Sequence, residues 1–322
     1  MNFYLYSSLA FVIGIVIAKP IISQLIAINS TQSFREQGPK SHIETKSGTP
    51  TMGAWIFLIP ILITMIMIYF NDPNMRIILT FAAFLTGTVL GAIDDILKVV
   101  GGNYKGVDSK QKLIVQLIIS FAIAYFSGRY LFTSYETELA SPILISLEFL
   151  WAFIVIAGSS NAINLTDGLD GLAASLSALA FAGLGILLYI NEDFSLALIC
   201  ITVVAALIAF LFFNLHPAKV FMGDTGSLAL GMGLGTIAYL AKLEWYLLIF
   251  ALVPVIETLS VVLQVLSAKL SRKFLGKDLR PLKMAPLHHH FELCGFHEVK
   301  ILLIFFVLQV LCSGFFLGIK FL

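Results

Sequence analysis

The sequence predicts an all-α integral membrane protein, one domain of ten transmembrane helices over residues 1–322, and three observations carry that expectation. Of the 322 residues, 59% are hydrophobic and only 12% are charged, about half the ~25% charged content of soluble domains. Mean hydropathy is +0.95, so a soluble fold would lack the polar groups to cover itself and the bilayer becomes the main solvent. The apolar residues also fall into ten runs long enough to cross ~30 Å of hydrocarbon, at about 3–28, 53–70, 75–97, 113–132, 143–163, 169–190, 194–213, 226–243, 245–268 and 299–321. A secreted or cytosolic globular enzyme is thereby excluded. A formal charge of +1, from 20 Lys and Arg against 19 Asp and Glu, leaves no broad basic face for nucleic acid. Cys200, Cys294 and Cys312 form no C-x-x-C pair, which points away from a disulfide framework or a zinc knuckle.

The first run lacks a positive n-region and meets its first charge only at Lys19-Pro20, so it is expected to be retained rather than cleaved. The second and ninth contain Pro60 and Pro254, which should kink their helices where neighbours re-satisfy the freed carbonyls. Glu257, just beyond Pro254, would be costly facing lipid and should point into the bundle. Ten spans put both termini on one side. Fourteen of the twenty basic residues lie in the loops 29–52, 98–112, 214–225 and 269–298, which the positive-inside bias makes cytoplasmic, with both termini outside. All the chemistry-capable loops then share the cytoplasmic face.

The first of these loops carries Arg35, Lys40, Lys46, Ser47, Gly48, Thr49, Thr51 and Gly53, basic, hydroxyl and glycine residues that suit phosphate binding. No Walker motif is present, and contact with lipid head groups explains the lysines equally well. The third run ends on Asp94-Asp95, two anions that oppose each other and the helix dipole. Something cationic should compensate, either Mg²⁺ with a phosphate or Lys98 and Lys112. Between runs five and six, Asn164, Asp167 and Asp170 are spaced by three and would fan over roughly 120° of a first helical turn. Capping needs one such residue, not three. Asp224 lies between Gly223 and Thr225-Gly226 at a helix start, able to cap that helix or to bind a metal beside backbone N–H groups. Phe221 could stack on a flat base or serve as an interfacial aromatic. His288, His289 and His290 are consecutive, so they cannot all face one ligand; the zinc spacing H-E-x-x-H is missing, and they suit phosphate or head-group contacts. Together these groups fit Mg²⁺-dependent phosphoryl chemistry on a membrane-dissolved substrate.

Ser47-Gly48-Thr49-Pro50-Thr51-Met52-Gly53, Asp94-Asp95, Asn164-Leu165-Thr166-Asp167-Gly168-Leu169-Asp170-Gly171, Phe221-Met222-Gly223-Asp224-Thr225-Gly226-Ser227 and Pro286-Leu287-His288-His289-His290-Phe291-Glu292 resemble the phospho-N-acetylmuramoyl-pentapeptide transferase family. The Asp-Asp and Asn-x-x-Asp-x-x-Asp elements are similar to those of the wider polyprenyl-phosphate hexose-1-phosphate transferase superfamily, whereas the triple histidine resembles the muramoyl-pentapeptide branch. A related transferase using a UDP-hexosamine is the alternative. The resemblance implies a bacterial cytoplasmic-membrane enzyme of peptidoglycan synthesis. Its partners would be UDP-MurNAc-pentapeptide, undecaprenyl phosphate and membrane lipid, its cofactor Mg²⁺ and its products lipid I and UMP, with a homodimer left open. It implies Asp224 as the Mg²⁺ ligand, Asp94 and Asp95 as the catalytic pair with Asp95 a candidate base or nucleophile, and His288, His289 and His290 as the catalytic histidine loop. It places Asn164, Asp167, Asp170, Asn214, Phe221, Gly223 and Gln264 around uridine and diphosphate, and Lys46, Thr51, Lys98 and Lys112 around the phosphates. One departure is Val107-Asp108, where Asp108 adds a negative charge near Lys110 and Lys112.

Overall fold

The computed structural model describes residues 2–30, 48–101, 106–128 and 142–321. In these segments the regular elements are helices: α1 Phe3–Ala27, α2 Trp55–Asn71, α3 Met75–Gly101, α4 Ser109–Ser127, α5 Pro142–Thr166, α6 Leu172–Ile190, α7 Phe194–Asn214, α8 Asp224–Leu240, a 3-10 turn Glu244–Tyr246, α9 Leu247–Phe250, α10 Leu252–Leu275, α11 Leu287–Leu293 and α12 Glu298–Phe321. Among the described residues seven of these, α1, α3, α5, α6, α7, α10 and α12, are long and apolar enough to cross a membrane. Helix α2 is apolar but shorter. Helices suit such a solvent because each satisfies its own backbone N–H and C=O groups where no water can.

Helix α8 forms the centre, packed most extensively against α3 and α5. Close approach explains why. A methyl added at Gly87 would meet the backbone of Ala229, and one at Gly91 would run into the carbonyl of Asp224 and the Cα of Thr225. Phe57 and Phe210 pack edge to face, with ring centroids 5.1 Å apart, and Phe84 stacks on Phe181 at 6.2 Å; all four are fully buried. Between α4 and α5, Gln116 donates to Ser160 Oγ at 3.0 Å and accepts from Asn161 Nδ2 at 3.1 Å, closing a polar network between two apolar helices. Large apolar side chains such as Val265, Leu311 and Phe315 remain exposed on the outer faces of α10 and α12, as expected where lipid is the neighbour.

Three expectations need correction. Helix α3 runs on to Gly101, so Asp94 and Asp95 sit within it rather than at its end; Lys98, one turn later, pairs with Asp94 at 2.6 Å and offsets its charge. Asn164 belongs to the last turn of α5 and residues 167–171 form a turn, so Asn164, Asp167 and Asp170 do not share a first helical turn. Gly171, in the left-handed region at φ 75°, is the N-cap of α6 and offers no side-chain cap. The ninth run breaks at Ala251, and Pro254 falls in the first turn of α10, where a missing N–H goes unnoticed. Gln309 of α12 stitches that break: it accepts from Val253 N at 3.0 Å and donates to Ile249 O at 2.8 Å.

Candidate active site

Helix α3 and the start of α8 bring the acids together. Carboxylate oxygens of Asp94, Asp95 and Asp224 lie within 4.8 Å of one another, with Asp94 and Asp95 buried and Asp224 partly open. Two lysines bridge this group. Lys98 Nζ is 2.6 Å from Asp94 Oδ2 and 3.2 Å from Asp224 Oδ1, while Lys112 Nζ is 2.9 Å from Asp94 Oδ1 and 2.6 Å from Asp224 Oδ2. The compensating cation expected at Asp94-Asp95 is thus found, and both lysines expected near the phosphates reach the acids. Three carboxylates gather where there are two ammonium groups, both paired with Asp94 and Asp224, which leaves the cluster short of positive charge. An all-oxygen donor set of this size suits a hard divalent cation.

Asp95 faces elsewhere. Its Oδ1 accepts from the backbone N–H of Asp224 at 3.1 Å, and its Oδ2 from the N–H and the hydroxyl of Thr225 at 2.9 and 2.7 Å. Asp95 therefore caps α8 from another helix, supplying the carboxylate that orphan N-terminal N–H groups favour. That explains why Asp224 does not act as the cap. Gly223 holds the N-cap position without a side-chain bond, and Asp224 is left to face Lys98 and Lys112. Asp94 Oδ1 also accepts from Val107 N at 2.6 Å, tying the α3–α4 loop to the cluster. Asp108 is the N-cap of α4 and accepts from Lys110 N at 3.2 Å. The extra charge noted in the sequence is a capping group.

Around this centre the remaining site residues divide by partner. Thr51 is buried beside Asp95, since a Cβ at Gly223 would meet Thr51 Oγ1 and Asp95 Oδ2. The loop carrying Thr51 is pinned to the α7–α8 loop by Phe221 N to Pro50 O and Gly53 N to Phe221 O, each 2.8 Å. Asn214 donates to Val220 O at 2.9 Å and folds that same loop. Gln264 both donates to and accepts from the backbone of Leu282, at 2.9 and 3.0 Å, so its amide anchors the loop ahead of α11. Lys46 lies outside the described residues, as do Arg35 and Lys40.

A second cluster was not legible in the sequence. Asp170, His216 and Glu298 converge to within 4.8 Å: His216 Nδ1 is 3.0 Å from Asp170 Oδ2 and also contacts Glu298, and Ala218 N donates to Asp170 at 3.1 Å. Glu298 stands at the first residue of α12, far in sequence from the other two. Only the fold discloses that partnership.

The three histidines point three ways, as their adjacency required. His288 turns inward and is fully buried, with Nδ1 3.2 Å from Glu257 Oε2. His289 Nδ1 pairs with Glu292 at 2.7 Å, and His290 Nδ1 accepts from Lys283 N at 3.1 Å. No hydrogen bond or ion pair joins His288 to Asp94, Asp95 or Asp224 among the described residues. Glu257 is fully buried, inside the bundle as its cost in lipid predicted.

Residues 75–242 match the family model of glycosyl transferase family 4. Phospho-N-acetylmuramoyl-pentapeptide-transferase of Staphylococcus epidermidis is 40% identical, covering 98% of this chain and 99% of the relative. The proteins of the same name from Halalkalibacterium halodurans and Bacillus subtilis are 43% and 42% identical, over 94% and 95% of this chain and 93% and 94% of their own. With the Asp94–Asp95–Asp224 cluster inside the matched segment and full-length similarity around it, the chain belongs to glycosyl transferase family 4 and to the family of the phospho-N-acetylmuramoyl-pentapeptide-transferases.

Proposed function

We propose that this chain transfers phospho-MurNAc-pentapeptide from UDP-MurNAc-pentapeptide to undecaprenyl phosphate in a bacterial cytoplasmic membrane, releasing UMP and forming lipid I. One observation carries the chemistry: Asp94 and Asp224 hold Lys98 and Lys112 between them where an apolar helix meets a polar loop. The reaction must bring two phosphates together, and anions repel unless fixed positive charge awaits them. Lys98 and Lys112 offer that charge. Asp224, with Asp94 beside it, would hold Mg²⁺, which when bound would neutralise phosphate charge as a Lewis acid. The phosphate monoester has a second pKa near 6, so only a modest base is required to take its proton. Within the acid pair Asp94 is engaged by Lys98, Lys112 and Val107 N and Asp95 by the N-terminus of α8, so either must release a partner to take that proton. Asp95 holds Asp224 in place.

The ten-span reading, with termini outside and the cluster on the cytoplasmic face, rests on the positive-inside distribution. An apolar cleft of about 230 Å³, lined by Trp151, Ile154, Leu234, Leu248, Pro254 and Leu259, opens beside the Ala251 break and suits a segment of prenyl chain. Asn164 at the end of α5, the turn 167–171 and Phe221 would provide the amide, acids and aromatic face for the uridine diphosphate. Radiolabel transfer from UDP-MurNAc-pentapeptide into butanol-extractable lipid tests the proposal. A preference for UDP-GlcNAc over the muramoyl donor would replace it with a UDP-hexosamine transferase.

A further inference from the structure

Glu257 is the one carboxylate set deep in α10, and the site described above leaves it without a task. Its oxygens accept from the backbone N–H of His288 at 3.1 and 3.4 Å, and its Oε2 lies 3.2 Å from His288 Nδ1. Both residues are at most 1% exposed. Neither ring nitrogen makes a hydrogen bond of normal geometry: Nδ1 has only this close approach to the carboxylate, and Nε2 is buried with no partner. It faces Gly168, where an added Cβ would strike Nε2, Cε1 and Cδ2 of the ring. Gly168 is the residue of the 167–171 turn that lets an imidazole approach this closely. Leaving a buried polar atom unsatisfied is costly, so an Nε2 aimed at a turn that bears Asp167 and Asp170 marks a place for a ligand group.

We propose that Glu257 is a positioning residue that acts through His288: it receives Nδ1–H, fixes the tautomer and ring orientation, and presents Nε2 as an acceptor to a hydrogen-bond donor of the bound uridine nucleotide. Which ring nitrogen carries the proton is set by the bond the other one makes. With Nδ1–H turned to a carboxylate, Nε2 accepts. Its counterpart on the ligand is then an O–H or N–H group, either a ribose hydroxyl or the imide N–H of the base. The inference deepens the proposed function and rests on the 167–171 turn holding that nucleotide.

Calorimetric titration of the detergent-solubilised full chain with UDP, 2′-deoxy-UDP, 3′-deoxy-UDP and 3-methyl-UDP tests it, each analogue lacking one donor. One analogue should bind wild type at least tenfold more weakly than UDP. That ratio should fall below threefold in Glu257→Leu, which keeps the volume of a buried side chain and removes the carboxylate, whereas Glu257→Gln, still able to accept from Nδ1–H, should retain part of it. A ratio unchanged in both variants, or no analogue distinguished by wild type, overturns the proposal. If Glu257→Leu fails to fold, the ratio in Glu257→Gln alone decides, and a value equal to wild type in Gly168→Ala, where the ring must shift, also counts against it. Lipid transfer assayed on the same wild-type sample separates the two levels: transfer with no analogue discrimination removes only the role of Glu257, while absent UDP binding and absent transfer remove the proposed function with it.

Discussion

The two ends of α3 hold the same ingredients in opposite states. At its first turn Arg76 forms a two-pronged ion pair with Asp193, at 2.5 and 3.1 Å, and the neighbouring Asp72 accepts from Ser195. At the other end, about 28 Å away at 1.5 Å per residue, Asp94, Asp95 and Asp224 crowd around Lys98 and Lys112. At the first end each acid has a partner of its own, Asp193 in Arg76 and Asp72 in the Ser195 hydroxyl, and these contacts stitch α3 to the start of α7. At the second, three acids gather around two bases that Asp94 and Asp224 share. An acid with a partner of its own is structure; acids that compete for shared cations are available for chemistry.

The strongest way to break this contrast is to remove one of the competing acids. Asp224→Ala should abolish UMP release, a loss of roughly 10³-fold or more by analogy with deletion of a fixed charge-stabilising group, while the thermal melting of the solubilised bundle stays close to wild type. Turnover within tenfold of wild type would take Asp224 out of the mechanism. EDTA should likewise stop the reaction and added Mg²⁺ restore it, since the site end gathers three carboxylates close enough to hold one ion; undiminished turnover in EDTA would show that the lysines suffice. Lys112→Ala should lower kcat/KM by roughly 30-fold, or about 2 kcal/mol, because it leaves Asp94 and Asp224 facing each other across one remaining ammonium. At the far end, Arg76→Ala should lower stability by about 0.5–1 kcal/mol, the range of partly exposed ion pairs, and leave transfer within twofold of wild type. A large activity loss there would dissolve the distinction between the two ends.

How much of this was legible in the sequence follows from what lipid permits. Acids inside apolar runs are expensive, so Asp94, Asp95 and Glu257 stand out without any coordinates, as does Asp224 among glycines just ahead of such a run. Their partners do not. That Asp95 would cap α8, that Glu298 would join Asp170 and His216, and that Glu257 would meet His288 each depend on helices remote in sequence becoming neighbours. Asn164, Asp167 and Asp170 were misplaced for a local reason: spacing by three is consistent with a helix, yet Gly168 and Gly171 open a turn there. The break in the ninth run was drawn to Pro254 because proline is the visible breaker, whereas the chain opens at Ala251, where Gln309 can receive the freed groups.

Gly91 gives the site its ruler. Because α3 meets the carbonyl of Asp224 there without room for a methyl, main-chain contact rather than the rotamer of any long side chain fixes the gap between the acid pair and the third acid. A helix backbone does not creep with side-chain repacking, so substitutions at the lipid-facing surface or along the apolar cleft can accumulate without changing the spacing on which the proposed phosphate transfer depends. The chain can therefore adapt to membranes of different composition while its reaction centre stays calibrated.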